Sequence, residues 1–303
     1  MLPDACLPHP GVMATELATL SNELAAVVAG AADKVVSVDA RPRFSSSGVF
    51  WRPGVLVTAE HTIRREDEIS ISLPDGTAAT ATLAGSDPGT DLAVLKTDHP
   101  GSVPAIAAAP VPGALALTIG RSADSGVNAT MGIVSAVSGP WRTWRGGRLD
   151  AYIRLDLTLY PGSSGGLVVN TAGEAIGIAT SALSRIAGVA IPASTIDRVV
   201  NEILARGRVR RGYLGVGLQP VELPDHHKGL IVLSLEPEGP AGKAGVLIGD
   251  VLLSLGGRKV ADTEDIQTAL EGTEVGGPIA AEVLRGGAAK TITITVGERP
   301  RRD

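Results

Sequence analysis

One serine of the chain stands in a sequence typical of an enzyme nucleophile. Ser164 lies in the segment Tyr160-Pro-Gly-Ser-Ser-Gly-Gly166, and an apolar run that begins at Leu167 follows directly. Glycines on both sides let the backbone bend sharply, which can turn successive N–H groups toward one point where an oxyanion is stabilised. Because a serine hydroxyl alone is a weak nucleophile, acyl transfer also needs a base and a group that orients the base.

A histidine and an aspartate could complete this arrangement. His61 follows a Val-rich apolar run, which predicts a strand with the imidazole at its end. Asp91 stands directly before the apolar run Leu92–Leu95, where a buried carboxylate could hold one imidazole tautomer. Asp87 is the rival acid, but its Pro-Gly turn sequence explains it without catalysis. The order His, Asp, Ser is that of chymotrypsin-like double barrels and differs from those of α/β-hydrolases and subtilisin.

The elements that must position these side chains are mostly short strands. Short apolar runs separated by Gly, Pro and Asp fill residues 31–205, which predicts an all-β barrel or sandwich rather than alternating strands and helices. Two helices accompany them. Apolar residues at helical spacing predict a short helix over residues 14–30, and a second over residues 195–205 has Thr195 as its expected N-terminal cap.

A different pattern begins after the basic segment of residues 206–211, which we interpret as a solvated linker, with contact to an anionic partner as the alternative. Residues 212–297 mix short apolar runs with two short helical segments. This mixture predicts a small α+β domain, so the chain divides into two domains.

Composition excludes several classes of function. Lys and Arg number 27 against 32 Asp and Glu, and a net charge of −5 argues against non-specific nucleic-acid binding. The single cysteine, Cys6, rules out an intramolecular disulfide, and the five histidines are too scattered to predict a zinc site. The first residues lack the positive start of a signal peptide, and no run is long enough to span a bilayer. We therefore expect a cytoplasmic chain as written, or an envelope protein if the chain is processed.

These segments resemble the HtrA (DegP/DegS-like) family of serine proteases with a C-terminal PDZ domain. The resemblance covers about residues 15–297, and its most specific segments are Val57–His61, Gly85–Lys96, Pro161–Gly166 and Ala190–Pro192. It implies a mainly β fold, with a chymotrypsin-like double β-barrel followed by a small α+β PDZ domain. The implied divisions are an N-terminal segment with a short helix (1–30), a trypsin-like protease domain (31–205), a linker (206–211), a PDZ domain (212–297) and a tail (298–303).

The resemblance also implies a role for each candidate residue. His61 would be the general base, Asp91 its orienting acid and Ser164 the nucleophile, with the N–H groups of Gly162 and Ser164 as the oxyanion hole. No acidic residue stands at the expected base of the specificity pocket, so we expect aliphatic rather than basic residues before the scissile bond. The residues expected to wall that pocket are Thr158, Leu159, Gly188, Val189 and Ala190.

Two positions depart from the family pattern. Ser163 stands before the nucleophile where Asn is usual, and Glu60 precedes the histidine where a small residue or Asn is usual. Ser163 could affect how the oxyanion loop settles. A carboxylate at Glu60 would favour the protonated imidazole and shift the pH optimum upward.

In the second domain, one loop resembles the carboxylate-binding loop of PDZ domains. A glycine at its bend could offer backbone N–H groups to a peptide C-terminus, and the strand edge that follows could pair with the peptide. An ordinary strand with a glycine bulge is the alternative. The residues expected to bind peptide are Tyr213, Leu214, Gly215 and Val216 in the loop and Ile266 and Leu270 on the predicted helix.

The leading hypothesis is a serine endopeptidase that cleaves unfolded or damaged proteins through an acyl-enzyme, with C-terminal peptides recognised at the PDZ domain. The alternative is a peptide-binding chaperone or scaffold of the same architecture with weak or no peptidase activity, and a weaker third possibility is an esterase. The resemblance implies a homo-oligomer, a trimer in known relatives, that needs no metal or organic cofactor.

Overall fold

The chain folds as two compact units, residues 1–209 and 210–303, whose boundary falls inside the predicted linker. The computed structural model describes residues 10–42, 44–64, 68–224 and 226–299. Residues 1–9 of the predicted N-terminal segment and residues 300–303 of the predicted tail lie outside the described residues.

The first unit begins with a long helix and an antiparallel six-stranded barrel. Around the closed barrel the strands follow the order β1-β2-β3-β6-β5-β4, and Val, Ile, Leu and Phe side chains fill its interior. A single turn of 3-10 helix, Glu60–Thr62, follows β3. The elements are α1 (Pro10–Ala32), β1 (Val35–Asp39), β2 (Ser46–Arg52), β3 (Val55–Ala59), β4 (Ile69–Ser72), β5 (Ala78–Asp87) and β6 (Leu92–Lys96).

A second closed barrel follows, with strand order β11-β14-β13-β12-β7-β8. Between β8 and β11 the chain makes a separate two-stranded hairpin, β9 with β10. The elements are β7 (Leu115–Ser122), β8 (Gly126–Ser138), β9 (Trp141–Arg142), β10 (Arg148–Leu149), β11 (Tyr152–Asp156), β12 (Leu167–Val169), β13 (Ala175–Thr180), β14 (Gly188–Pro192) and α2 (Ala193–Arg206).

A hydrophobic cluster between the barrels holds them together. It contains Val57 and Leu92 from the first barrel, Leu167 and Ile178 from the second, and the buried face of α2. The ends of β3 and β6 therefore lie close to the segment that leads into β12, which places the histidine, aspartate and serine regions on facing edges of the two barrels.

Both helices of this unit differ from the sequence prediction. The first begins at Pro10 rather than residue 14, and its Leu17 and Leu20 side chains are exposed. In α2, the cap prediction for Thr195 is wrong, because the helix begins at Ala193 and Thr195 is buried inside the first turn, where its hydroxyl accepts the Asp150 N–H at 2.8 Å. Among the helices that the structure describes, none combines the length and apolar character needed to cross a membrane.

The second unit is a small α+β domain built on an antiparallel sheet with the order β16-β17-β18-β20-β21, and β19 pairs with β18. The strand β16 forms one edge of this sheet, and α4 begins with a capping box in which Asp262 and Asp265 each accept backbone N–H groups. The elements are β15 (Gly212–Tyr213), β16 (Val216–Glu222), β17 (Lys228–Leu235), α3 (Pro240–Lys243), β18 (Val251–Leu255), β19 (Arg258–Lys259), α4 (Thr263–Glu271), β20 (Pro278–Arg285), β21 (Ala288–Thr295) and β22 (Gly297–Glu298). The predicted fold class, a double barrel with a small α+β domain, is confirmed.

Candidate active site

Neighbouring strand ends bring His61 and Asp91 together. The strands β3 and β6 pair antiparallel, with Ala59 opposite Leu92, so the residues just beyond these two lie side by side. The Glu60 N–H donates to the Asp91 carbonyl at 3.1 Å and closes this end of the pair. Asp91 has a φ of +57°, a left-handed conformation that aspartate adopts more readily than bulky residues.

The carboxylate of Asp91 is fully buried and accepts several hydrogen bonds. The His61 ring atom Nδ1 lies 2.9 Å from Oδ2 and 3.0 Å from Oδ1, and the His61 backbone N–H donates to Oδ1 at 2.9 Å. The Thr180 hydroxyl, at the end of β13, also donates to Oδ2. A carboxylate held in this way fixes Nδ1–H as the donor and leaves Nε2 as the basic ring atom.

Thr180 is a residue that the sequence analysis missed. It is a polar residue at the end of a fully buried strand. That position is the only signal in the sequence that could have singled it out, because its partner Asp91 lies 89 residues away.

The segment before the nucleophile is a type II turn. The Ser163 N–H donates to the Tyr160 carbonyl at 2.9 Å, with Pro161 and Gly162 at the two central positions. Gly162 has a φ of +94°, which a type II turn requires at its third residue and which glycine adopts without steric cost. The Pro-Gly pair in the sequence therefore encodes this turn directly.

The N–H groups around Ser164 divide into two pairs. Those of Ser163 and Gly165 are used internally, the first in the turn and the second in a bond to the Ala179 carbonyl at 2.8 Å. In the described part of the chain, those of Gly162 and Ser164 donate to no protein acceptor. These are the two donors expected to form the oxyanion hole, and both remain free to bind a developing negative charge.

The hydroxyl of Ser164 lies 3.2 Å from the Ser181 hydroxyl oxygen and is hydrogen-bonded to it. No hydrogen bond joins Ser164 to His61 within the described residues. The loop still packs close to His61, because a Cβ added at Gly165 would lie only 3.1 Å from the Ala59 nitrogen, two residues before the histidine. The structure thus joins His61 to Asp91 and packs the loop that carries Ser164 against the end of β3, with the Ser164 hydroxyl bonded to Ser181.

The expected pocket residues fall into two groups. Leu159 packs in the interior cluster of the second barrel together with Ala190, and a Cβ at Gly188 would lie 3.0 Å from a Leu159 methyl group. Side chains alternate along β14, so Val189 packs instead in the cluster between the barrels. Thr158 is exposed beside Leu159. The structure gathers Leu159, Gly188 and Ala190 and places the Val189 side chain elsewhere.

Glu60 makes an ion pair close to the histidine. Its Oε2 lies 3.3 Å from an Arg145 guanidinium nitrogen, and Arg145 belongs to the separate β9–β10 hairpin between β8 and β11. The same hairpin is anchored by the Thr143 hydroxyl, which donates to the Gly89 carbonyl at 2.6 Å. Burial, followed by the negative charge of Asp91, raises the pKa of Glu60, while Arg145 opposes this shift.

In the second unit, the loop before β16 has a sharp bend. Gly215 has a φ of +75°, and the carbonyls of Leu214 and Gly215 accept the N–H groups of Ala241 and Glu236, each at 2.9 Å. Val216 opens the edge strand, while Tyr213 pairs with Gly297 and donates its hydroxyl to Glu236. The other two residues expected to bind peptide, Ile266 and Leu270, lie on α4. Their side chains are no more than 8% exposed and pack in the core of the domain.

Comparison with known proteins agrees with this architecture. Residues 46–178 match the family model of the trypsin-like peptidase domain, and residues 212–296 match that of the PDZ domain. A probable periplasmic serine endoprotease, DegP-like, from Brucella suis is 34% identical over 293 residues, which covers 89% of this chain and 56% of the relative. The serine endoprotease DegS of Haemophilus influenzae is 31% identical and covers 84% of this chain and 77% of the relative.

A solved structure is similar across both units. The crystal structure of the serine endoprotease from Yersinia pestis has a TM-score of 0.77 and 31% identity, and it covers 92% of this chain and 98% of its own. The chain spans a little over half the length of the DegP-like relative from Brucella. Two domain matches, relatives above 30% identity and a shared fold show that the chain belongs to the HtrA (DegP/DegS-like) family of trypsin-like serine endoproteases with a PDZ domain.

Proposed function

We propose that the protein is a serine endopeptidase that cleaves unfolded or damaged polypeptides through an acyl-enzyme. The observation that carries the proposal is the pairing of His61 with the buried Asp91, together with a serine loop in which the N–H groups of Gly162 and Ser164 donate to no described acceptor. Burying a carboxylate costs free energy of desolvation, so an aspartate that accepts several hydrogen bonds beside an accessible imidazole is typical of a site for acid–base chemistry.

In the proposed reaction, Ser164 Oγ attacks the substrate carbonyl carbon while His61 Nε2 takes the hydroxyl proton. The N–H groups of Gly162 and Ser164 stabilise the oxyanion, and Asp91 stabilises the imidazolium. The imidazolium then protonates the leaving amine as the C–N bond breaks. Water, deprotonated by the same histidine, hydrolyses the acyl-enzyme and restores the serine. The Ser164 hydroxyl must first turn from Ser181 to His61.

The proposed specificity pocket takes aliphatic side chains. Leu159, Gly188 and Ala190 offer apolar surface, because Leu159 and Ala190 pack in one hydrophobic cluster and Gly188 lies against the Leu159 side chain. None of these three residues carries a carboxylate that could pair with a basic residue of the substrate, whereas a small or medium aliphatic residue would bury apolar surface against them.

We propose that the second unit binds the C-terminal segments of polypeptides. The bend at Gly215 and the free edge of β16 support this proposal, because an extended peptide could add to the sheet there. This binding would recruit substrate or regulate the first unit.

We also propose a homo-oligomer, a trimer as in known relatives, that acts in the cell envelope. The exposed Leu17 and Leu20 of α1, at 64% and 47%, offer apolar surface for a second copy. Relatives named periplasmic support the envelope location, and the comparisons give the cytoplasmic interpretation no support.

One observation favours the alternative of a peptide-binding chaperone with weak peptidase activity. The Ser164 hydroxyl bonds to Ser181 and not to His61, which would describe a resting or inactive serine. The two proposals differ in whether this arrangement changes when substrate or a peptide ligand binds.

The test is cleavage of an unfolded protein such as casein near neutral pH by wild type and by Ser164→Ala, with and without a C-terminal peptide. Cleavage by wild type alone supports the endopeptidase, and cleavage by both overturns the role of Ser164. If no cleavage occurs in any of the four assays and both proteins prevent aggregation of the unfolded substrate, the chaperone is supported. Hydrolysis of esters without peptides would indicate an esterase.

A further inference from the structure

We propose that Ser47 is a positioning residue that holds the oxyanion-hole loop in its working conformation from the opposite barrel. This inference rests on the proposed function. Ser47 lies on β2 in the first barrel, and its side chain is completely buried. The motifs that identify the triad candidates assign no role to it.

Three hydrogen bonds connect Ser47 to the second barrel. Its hydroxyl oxygen accepts the Arg121 N–H at 2.9 Å and donates to the Gly162 carbonyl at 2.7 Å. Its backbone N–H donates to the Ser164 carbonyl at 3.1 Å. Because the Arg121 carbonyl is farther from the hydroxyl, at 3.4 Å, the single hydroxyl hydrogen is directed to Gly162.

The two carbonyls that Ser47 binds belong to Gly162 and Ser164, the residues whose N–H groups would stabilise the oxyanion. The bond to Gly162 fixes one side of the Gly162–Ser163 peptide, whose N–H is already held by the Tyr160 carbonyl. Likewise, the Ser164–Gly165 peptide is held by Ser47 at its carbonyl and by Ala179 at its N–H. Glycine restricts its own dihedrals little, so these outside bonds determine where the two free N–H groups point.

Close packing holds the backbone of Ser47 against the loop that carries Ser164. A Cβ at Gly165 would lie 2.0 Å from the Ser47 carbonyl oxygen, so the two backbones are already in contact. The Thr58 hydroxyl donates to that same carbonyl at 2.6 Å and fixes the backbone of Ser47 on the side of its own barrel.

The neighbouring residue offers a matched comparison. Ser46 is on the same strand and is equally buried, but its hydroxyl donates at 3.3 Å to the Val38 carbonyl inside the first barrel. Removing the Ser46 hydroxyl therefore removes a buried hydrogen bond without touching the oxyanion loop.

The experiment compares Ser47→Ala with Ser46→Ala in the full chain. Activity is measured with a chromogenic peptide substrate, and binding is measured with a peptidyl boronic acid. The boronic acid forms a tetrahedral adduct with the serine that places an oxygen in the oxyanion hole. We expect Ser47→Ala to lower kcat by about tenfold or more, with KM nearly unchanged and boronate affinity weakened by a similar factor. Ser47→Thr, which keeps the hydroxyl, should recover part of the loss. We expect Ser46→Ala to retain kcat and boronate affinity even if both alanine variants melt at lower temperature.

Equal kcat and boronate affinity in the two alanine variants would overturn the proposal. If wild type cleaves nothing and its Ser164 resists fluorophosphonate labelling, the proposed function fails, yet the positioning role is still tested by amide hydrogen exchange. In that case Ser47→Ala should accelerate exchange in residues 160–166 relative to Ser46→Ala, and equal rates would overturn it.

Discussion

Thr180 donates its hydroxyl hydrogen to Asp91 Oδ2, the same carboxylate oxygen that lies 2.9 Å from His61 Nδ1. Thr180 ends a strand of the second barrel, whereas Asp91 directly precedes a strand of the first. The orienting acid is therefore held across the boundary between the barrels, and its position depends on how the two barrels pack.

Replacing Thr180 by valine keeps the size of the side chain and removes this bond. A buried carboxylate would lose a donor, so the free energy of unfolding should fall by about 1.5–3 kcal/mol. Because the carboxylate would also hold the imidazole less firmly, we expect kcat to fall by roughly tenfold. Steady-state kinetics and urea unfolding measure the two effects. Thr195→Val is the control, since Thr195 is equally buried but bonds to the Asp150 N–H; an equal loss of kcat in both variants would contradict a specific role for Thr180.

The bond between Ser164 and Ser181 predicts a second effect. Ser181→Ala removes the partner that lies 3.2 Å from the Ser164 hydroxyl, so that hydroxyl no longer has to leave a hydrogen bond before it turns to His61. A net hydrogen bond of about 0.5–1.5 kcal/mol corresponds to a two- to tenfold faster reaction with a fluorophosphonate that labels the serine. Ser184→Ala, which removes a hydroxyl bonded at 3.3 Å to the Ile186 N–H, should label at the wild-type rate. Slower labelling of Ser181→Ala would show that Ser181 assists the nucleophile instead.

The sequence contains the triad candidates because each has a local signature. His61 and Asp91 stand at the ends of apolar strands, and Pro161 with Gly162 encodes the turn before the nucleophile. Ser47 and Thr180 have no such signature, because each acquires its role from a partner on the other barrel. Only the packing of one barrel against the other brings these pairs together.

Two other differences between the sequence predictions and the structure have physical reasons that can be recognised in the sequence. The sequence analysis assigns Gly188, Val189 and Ala190 together to the wall of the pocket, yet the two-residue period of a strand sends the Val189 side chain to the opposite face. In α2, Pro192 tolerates the position before a helix, so the helix begins two residues before the Thr195 expected as its cap. The alternation of side chains along a strand is enough to predict where Val189 points. The start of α2 is harder to predict, because Pro192 and Thr195 are competing signals for the first residue of the helix.

The ion pair between Glu60 and Arg145 predicts a pH effect of definite sign. Burial and then Asp91 raise the pKa of Glu60, whereas Arg145, His61 and Arg64 lower it, so the carboxylate interacts with both the histidine and Arg145. Removing the negative charge should disfavour a positive charge on the base, and removing Arg145 should have the opposite effect. Glu60→Gln should move the acidic limb of the kcat/KM profile to lower pH, and Arg145→Gln should move it to higher pH. Profiles between about pH 5 and 9 measure both shifts. Shifts of the same sign in both variants would contradict this electrostatic account.

In the PDZ unit, Asp250 and Arg285 form a bidentate ion pair. Asp250 is buried, and its two oxygens accept from the Arg285 guanidinium at 2.7 Å each, while Oδ2 also accepts the Leu247 N–H at 2.8 Å. These bonds, those from Arg285 above all, lower the pKa of Asp250. A carboxylate whose pKa is depressed by folding stabilises the fold above its unfolded pKa, and this contribution is lost as the pH falls through the folded pKa.

We therefore expect Asp250→Asn to lower the free energy of unfolding of this unit by about 2–3 kcal/mol at neutral pH and to remove part of its acid sensitivity below about pH 4. All three tryptophans, Trp51, Trp141 and Trp144, lie in the first unit, so hydrogen exchange of β17 and β18 is the suitable measurement. Lys243→Gln is the control, because its pair with Glu238 spans 3.8 Å between exposed side chains and should contribute well under about 1 kcal/mol. If the wild type and Asp250→Asn lose protection in parallel as the pH falls, the acid sensitivity of this unit arises from other carboxylates.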